Sequence, residues 1–141
     1  MDPRLADFTS NPPANGNYLA EAETHFGRPF PSQYRRFMAD QDGGEGFVGE
    51  SYLVLWRASE LVVFNREYEA DKYAPGLLLF GSNGGGEAFA FDARDNQAMK
   101  IVIVPVICMS LEDALLVADT FDNFLSKLAD GELFLNSRTT E

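Results

Sequence analysis

Three apolar segments near the middle of the chain place the tightest limit on its fold. LLLFG (77–81), EAFAFD (87–92) and MKIVIV (99–104) have the aromatic and β-branched content of strands. The links between them are SNGGG (82–86) and ARDNQA (93–98). Neither has the roughly dozen residues that a crossover to a parallel neighbour requires, so the three segments run as antiparallel neighbours. The glycine-rich link reads as a tight strand-to-strand connection at which positive φ is needed.

Helical patterns flank this block. Tyr18 to Phe26 puts Leu19, Ala22, Glu23 and Phe26 at helical spacing. The sequence GRPFP breaks that pattern, and Pro31 suits the opening turn of a second helix. There Tyr34, Phe37 and Met38 form one stripe while Arg35 and Arg36 face outward; DQDGGEG (40–46) ends it. SYLVLWR (51–57) reads as a strand, with Tyr52, Val54 and Trp56 on one face and Leu53 and Leu55 on the other. Ser59 is placed to cap a third helix reaching about Glu69, with Leu61, Phe64 and Tyr68 inward. Tyr73-Ala-Pro-Gly is a turn. After a loose stretch from Pro105, Asp119 or Thr120 caps a last helix, in which Phe121, Phe124, Leu125 and Leu128 recur at i, i+3, i+4 and i+7. Gly131 fits its C-terminal cap. The order predicts an α+β fold: one domain, a central antiparallel β-sheet, N-terminal helices and a C-terminal helix. Residues 1–17 read as a flexible arm, 18–135 as the domain and 136–141 as a frayed tail.

At 141 residues the chain suits a single domain, and 45% hydrophobic content with 12 Phe argues against a disordered acidic tail. Asp and Glu number 22 against 11 Lys and Arg, a net charge of −11. Direct nucleic-acid binding is thereby disfavoured, because phosphate contacts need clustered basic groups. One Cys and one His leave no disulfide framework and no histidine-rich metal or catalytic cluster. No basic and apolar leader opens the sequence, and the longest apolar run, IVIVPVICM (101–109), is interrupted by Pro105 and far short of the ~20 residues of a membrane helix. The expected location is the cytoplasm, with Cys108 a reduced core residue.

No motif in the chain makes a strong case for catalysis. GEGFVG (44–49) matches G-x-G-x-x-G, but a helix precedes it and a strand follows, the reverse of a dinucleotide site. SNGGGE (82–87) lacks the Lys-Ser/Thr of a P-loop, and Glu87 would repel an anion. Glu87 shares its strand face with Phe89 and Phe91 while Asp92 faces the other way, so the two acids diverge; Glu87 is read as an acceptor for glycine-loop N–H groups. His25 is a helix-end side chain with no nucleophile in a recognisable context. Trp56 and the phenylalanines read as core rather than as a ligand pocket. No catalytic residue, cofactor or metal is expected.

Taken together, these segments resemble the SUKH superfamily of Smi/Knr-type cell-wall regulators and bacterial toxin-immunity proteins. The likeness is carried by PFPSQYRRFMADQDGG (29–44), SYLVLWRASELVVFNREY (51–68), LLLFGSNGGGEAFAFD (77–92), IVIVP (101–105) and DTFDNFLSKL (119–128), and spans about residues 18–130. It implies an α+β fold without catalytic residues. It also implies that Gly85, Gly86, Glu87 and Asp92, which match the family's central motif, hold the sheet and its turn. Many bacterial relatives bind a cognate toxin, often a nuclease or nucleic-acid deaminase. The expected function is therefore a non-catalytic, cytoplasmic, immunity-type protein whose partner is a toxin domain with a basic surface. Partner contacts are expected among Asp40, Asp42, Glu45 and Glu50 in the glycine-rich loop, or Asp92 and Asp95 beside the hairpin. The alternatives are a regulatory or scaffold module with another cellular partner, and a small-ligand domain using the aromatic face near Trp56 and Phe89.

Overall fold

The computed structural model describes residues 2–94, 99–107 and 109–132. Asp95, Cys108 and the tail 136–141 lie outside the described residues. Among the described residues the sheet has seven antiparallel strands in chain order: β1 (Phe8–Ser10), β2 (Gly44–Val48), β3 (Ser51–Leu55), β4 (Leu77–Ser82), β5 (Glu87–Asp92), β6 (Lys100–Pro105) and β7 (Leu115–Ala118). The helices are α1 (Tyr18–Phe26), α2 (Ser32–Asp40), α3 (Leu61–Glu67), α4 (Ala70–Tyr73) and α5 (Phe121–Asp130). This is the α+β architecture read from the sequence.

The first seventeen residues are not simply a loose arm. Pro3–Leu5 forms a 3-10 turn and Phe8–Ser10 pairs with β2, burying Leu5 and Phe8. Its partner β2 begins within DQDGGEG (40–46), the run read as a helix terminator, and is a strand whose glycines sit where β1 approaches. A Cβ at Gly44 would collide with the Thr9 carbonyl oxygen, and one at Gly46 would lie 2.6 Å from the Asp7 carbonyl oxygen. The stretch after Pro105 likewise contains β7.

One face of the sheet, with Val48, Leu53, Leu55, Phe89, Phe91, Ile101 and Ile103, is buried under α2 and α5. A ring cluster joins the layers. The Phe80 ring stacks on Phe91 at 4.3 Å, Tyr34 meets Phe91 edge-on at 5.0 Å, and Phe89 meets Phe124 edge-on at 4.9 Å. Each such pair contributes about 0.5–1.5 kcal/mol beyond its buried area. Phe80 is the extra residue of a bulge between Leu79 and Gly81, where β4 shifts register on β5. Thr120, not Asp119, caps α5: its Oγ1 accepts the Asn123 N–H at 3.1 Å.

The third helical region also differs from expectation. Ala58–Glu60 is a 3-10 turn and α3 starts at Leu61; Arg57 takes the capping position, its N–H donating to Glu60 Oε1 at 2.8 Å, while Ser59 lies within the turn. Glu69 adopts φ 54°, and α4 is a separate short helix. The placement of α3 matters because β3 leaves the sheet early. It pairs with β4 only at Val54–Ser82 and Leu55–Gly81, and then Trp56 N–H donates to the Phe80 carbonyl at 3.2 Å. The next β4 group is completed by a side chain. Buried Asn65 of α3 accepts the Leu79 N–H at 2.9 Å and donates to the Leu79 carbonyl at 2.9 Å and the Leu61 carbonyl at 2.8 Å. A single amide thus replaces a strand at that edge.

Candidate partner-binding surface

Strand alternation turns Glu45 and Phe47 away from the core and sets Tyr52 of β3 opposite Phe47. The Phe47 and Tyr52 rings meet edge-on at 5.2 Å, yet Phe47 remains 50% exposed. The Tyr52 hydroxyl donates to Glu45 Oε2, and that bond to a carboxylate holds the phenol in its neutral form, raising its pKa. Gly84 of the β4–β5 turn lies close to the same ring: a Cβ there would be 3.1 Å from Tyr52 Cδ2. Two hairpins therefore present an aromatic pair braced by an acid.

Asn83 organises the glycine turn. Its Oδ1 accepts the N–H of Gly85 at 2.8 Å and of Glu87 at 3.2 Å, and its Nδ2 donates to Glu87 Oε1 at 2.9 Å. Glu87 therefore positions the Asn83 amide rather than receiving glycine N–H groups itself. The Gly86 carbonyl accepts the Val106 N–H at 2.9 Å, which ties the turn to the strand beyond β6.

The other acids singled out by charge do not gather with Glu45. Asp42 is buried and withdrawn from any partner: its Oδ1 accepts the Ala58 N–H at 2.8 Å, with Arg57 Nη1 4.0 Å from its other oxygen. A helix-end acid next to glycine has been used to satisfy an orphan N–H at the next turn. Asp40 ends α2 in a cleft of about 290 Å³ with Asp2, Arg4, Arg36 and Asp122, where Arg4 bridges Asp2 at 2.6 Å and Asp122 at 2.9 Å. Glu50 stands in the β2–β3 turn, its N–H donating to the Ala129 carbonyl at the end of α5. Asp92 lies at the other end of β5 from the glycine turn and takes both Nε and Nη2 of Arg94, at 2.9 and 2.7 Å. That guanidinium holds its carboxyl below the usual range.

Trp56 packs edge-on against Phe64 at 4.8 Å, and Phe89 belongs to the α5 cluster. Both are buried, so they do not form an open aromatic face. His25 is exposed in the last turn of α1. Among the described residues there is no group of three or more His, Cys, Asp or Glu that could hold a metal ion, and no helix long and apolar enough to cross a membrane.

Residues 13–127 match the family model described as the SMI1 / KNR4 family (SUKH-1). The chain belongs to that family. A search of curated proteins gives no match. The SUKH-1 match runs from just before α1 into α5, so β1 precedes it and is laid against its first strand. Within the SUKH-1 region, the Asn83–Glu87 turn and the Asn65 bridge are internal to the fold. The Phe47–Tyr52 pair is surface. Charge alone pointed to Glu45 but missed both aromatics, because their pairing depends on recognising GEGFV as a strand.

Proposed function

We propose that this SUKH-1 protein is a non-catalytic binding module that captures and neutralises a partner protein, as an immunity protein does its toxin, and that it acts in the cytoplasm. The observation that carries the reading is the exposed Phe47–Tyr52 pair braced by Glu45 on a chain of net charge −11. Aromatic anchors of this kind dominate interface energetics, and a surrounding field of one sign speeds encounter with a partner of the other. The partner's complementary surface is basic. A nuclease or nucleic-acid deaminase has such a surface because it must hold phosphates. Asp40 and Glu50 are assigned to steering at a distance; Asp42 and Asp92, engaged by the Ala58 N–H and by Arg94, have no part in it.

The test is co-purification with a candidate toxin domain sought in the reading frames beside this gene, followed by binding kinetics. The complex should weaken as salt rises. Phe47→Ala should speed dissociation at least about tenfold, the lower end for an aromatic anchor. Glu45→Lys should slow association. A complex indifferent both to salt and to Phe47→Ala overturns the assignment of this surface.

A further inference from the structure

A second surface, at the end of β4 and β5 remote from the glycine turn, carries chemistry that partner capture does not use. A cleft of about 520 Å³ opens where α1, α3, α4 and the start of β4 meet. That size lies within the range of about 300–1,000 Å³ typical of small-molecule sites. Its apolar wall is Phe26, Leu77 and Leu78. Its ionisable groups are the only histidine of the chain, His25, with Arg28, Arg66 and a single acid, Asp71. In a protein with twice as many acids as bases, this is a basic cleft.

Neither arginine makes an ion pair among the described residues. Arg66 is exposed. Arg28 donates from Nη1 to the Ala93 carbonyl at 2.9 Å, but its buried Nε has no hydrogen-bond partner. An unsatisfied buried N–H of a cation is costly, and a bound acceptor would relieve that cost. Asn65 also borders the cleft, but its amide is fully engaged with Leu61 and Leu79 and contributes only wall. Asp92, next to Ala93, is already occupied by Arg94. Basic residues often occupy the last turn of a helix, where they complement the dipole, and this accounts separately for His25 and Arg66. It does not account for the orphan Nε of Arg28, which lines the same cleft.

We propose that this cleft binds a small organic oxyanion on a compact apolar body, with the guanidinium groups of Arg28 and Arg66 on the anion and Phe26, Leu77 and Leu78 on the body. Guanidinium forks suit carboxylates and phosphates alike, so the head group is left to experiment. The site is independent of the hairpin surface, and its failure would leave the partner reading intact.

The test is calorimetric titration, supported by thermal shift, of the full chain at low salt with phenyl phosphate, phenylacetate, inorganic phosphate and benzyl alcohol. At least one aryl anion should bind and raise the melting temperature with dose, because a ligand of the native state must stabilise it. Inorganic phosphate should bind at least about tenfold more weakly, and benzyl alcohol should not bind. Arg66→Gln should weaken the aryl anion at least about tenfold, the loss of one charge-assisted contact. Arg36→Gln, on the outer face of α2, should leave it unchanged. Trp56 fluorescence confirms that each variant is folded. No aryl-anion binding, equal affinity for inorganic phosphate, or an equal response to the two arginine substitutions would overturn the proposal.

Discussion

Removing the Asn65 side chain tests whether one amide completes the sheet edge that β3 abandons. Asn65→Ala deletes three hydrogen bonds, two of them to Leu79. Leu79 is 1% exposed, so neither its N–H nor its carbonyl gains water in compensation. At about 1–3 kcal/mol for each buried group left unpaired, the Leu79 peptide groups alone predict a loss of about 2–6 kcal/mol. Against a typical total of about 5–15 kcal/mol, such a loss is large. Asn65→Asp separates the acceptor from the donor. Its carboxylate can still accept the Leu79 N–H but faces the carbonyls of Leu61 and Leu79 without a proton to give. Burial and those carbonyls raise the pKa of the introduced acid above its unfolded value near 3.9. The folded state then holds a proton that the unfolded state releases, so stability falls as pH rises from about 4 toward the raised folded value. The assay is urea unfolding followed by the fluorescence of Trp56, which packs on Phe64 of the same helix. Exchange of the Leu79 amide is read in parallel. A loss under about 0.5 kcal/mol for Asn65→Ala with Leu79 still protected refutes the bridging role, since even one unpaired group should exceed that.

Other substitutions probe the remaining layers. The Tyr34 hydroxyl is buried without a hydrogen-bond partner, so Tyr34→Phe should leave stability unchanged or raise it by about 1 kcal/mol in urea unfolding; a loss beyond about 1 kcal/mol would reveal a partner for that hydroxyl. Gly46→Val puts a side chain against Asp7 and Phe8 and should free β1, seen as rapid amide exchange confined to Phe8–Ser10 while β4–β6 stay protected. The Asp92 carboxyl is held low by Arg94, so its contribution is present above about pH 4, the unfolded value, and lost as pH falls through the lower folded value. Asp92→Asn should reduce stability at neutral pH and flatten the acid limb of the urea midpoint curve; an acid limb parallel to the parent's would rule out this pair as a contributor.

The parts of the fold legible in the sequence are those whose signal is local. The stripe of α5 and the short links among β4, β5 and β6 depend on spacing along the chain alone, and the structure has both. The parts that were not legible depend on neighbours distant in sequence. GEGFV has no apolar alternation because two of its inward positions are glycines, and they are glycines because β1 passes so close. β1 itself is three residues long, and only its pairing with β2 distinguishes it from a loop. Nothing local to Asn65 tells that its amide completes a sheet; that depends on β3 leaving β4 unpartnered.

The same distinction explains why net charge alone does not single out the surface proposed here for binding. A carboxylate contributes to recognition only to the extent that it is not already engaged inside the fold. Asp42 is engaged by the Ala58 N–H, Glu23 by the Phe30 N–H and Arg35, Glu87 by Asn83, Asp92 by Arg94, and Asp2 and Asp122 by Arg4. Glu45 is different, because its donor is the hydroxyl of a surface aromatic and the bond fixes a feature that faces outward. In the proposed docking mode, fixing Tyr52 lowers the rotamer entropy otherwise lost on binding, which is the reason for assigning a half-buried tyrosine beside an exposed phenylalanine the part of an anchor. Glu45→Gln, which preserves an acceptor while removing the charge, should therefore slow association more than it speeds dissociation. Tyr52→Ala should do the reverse.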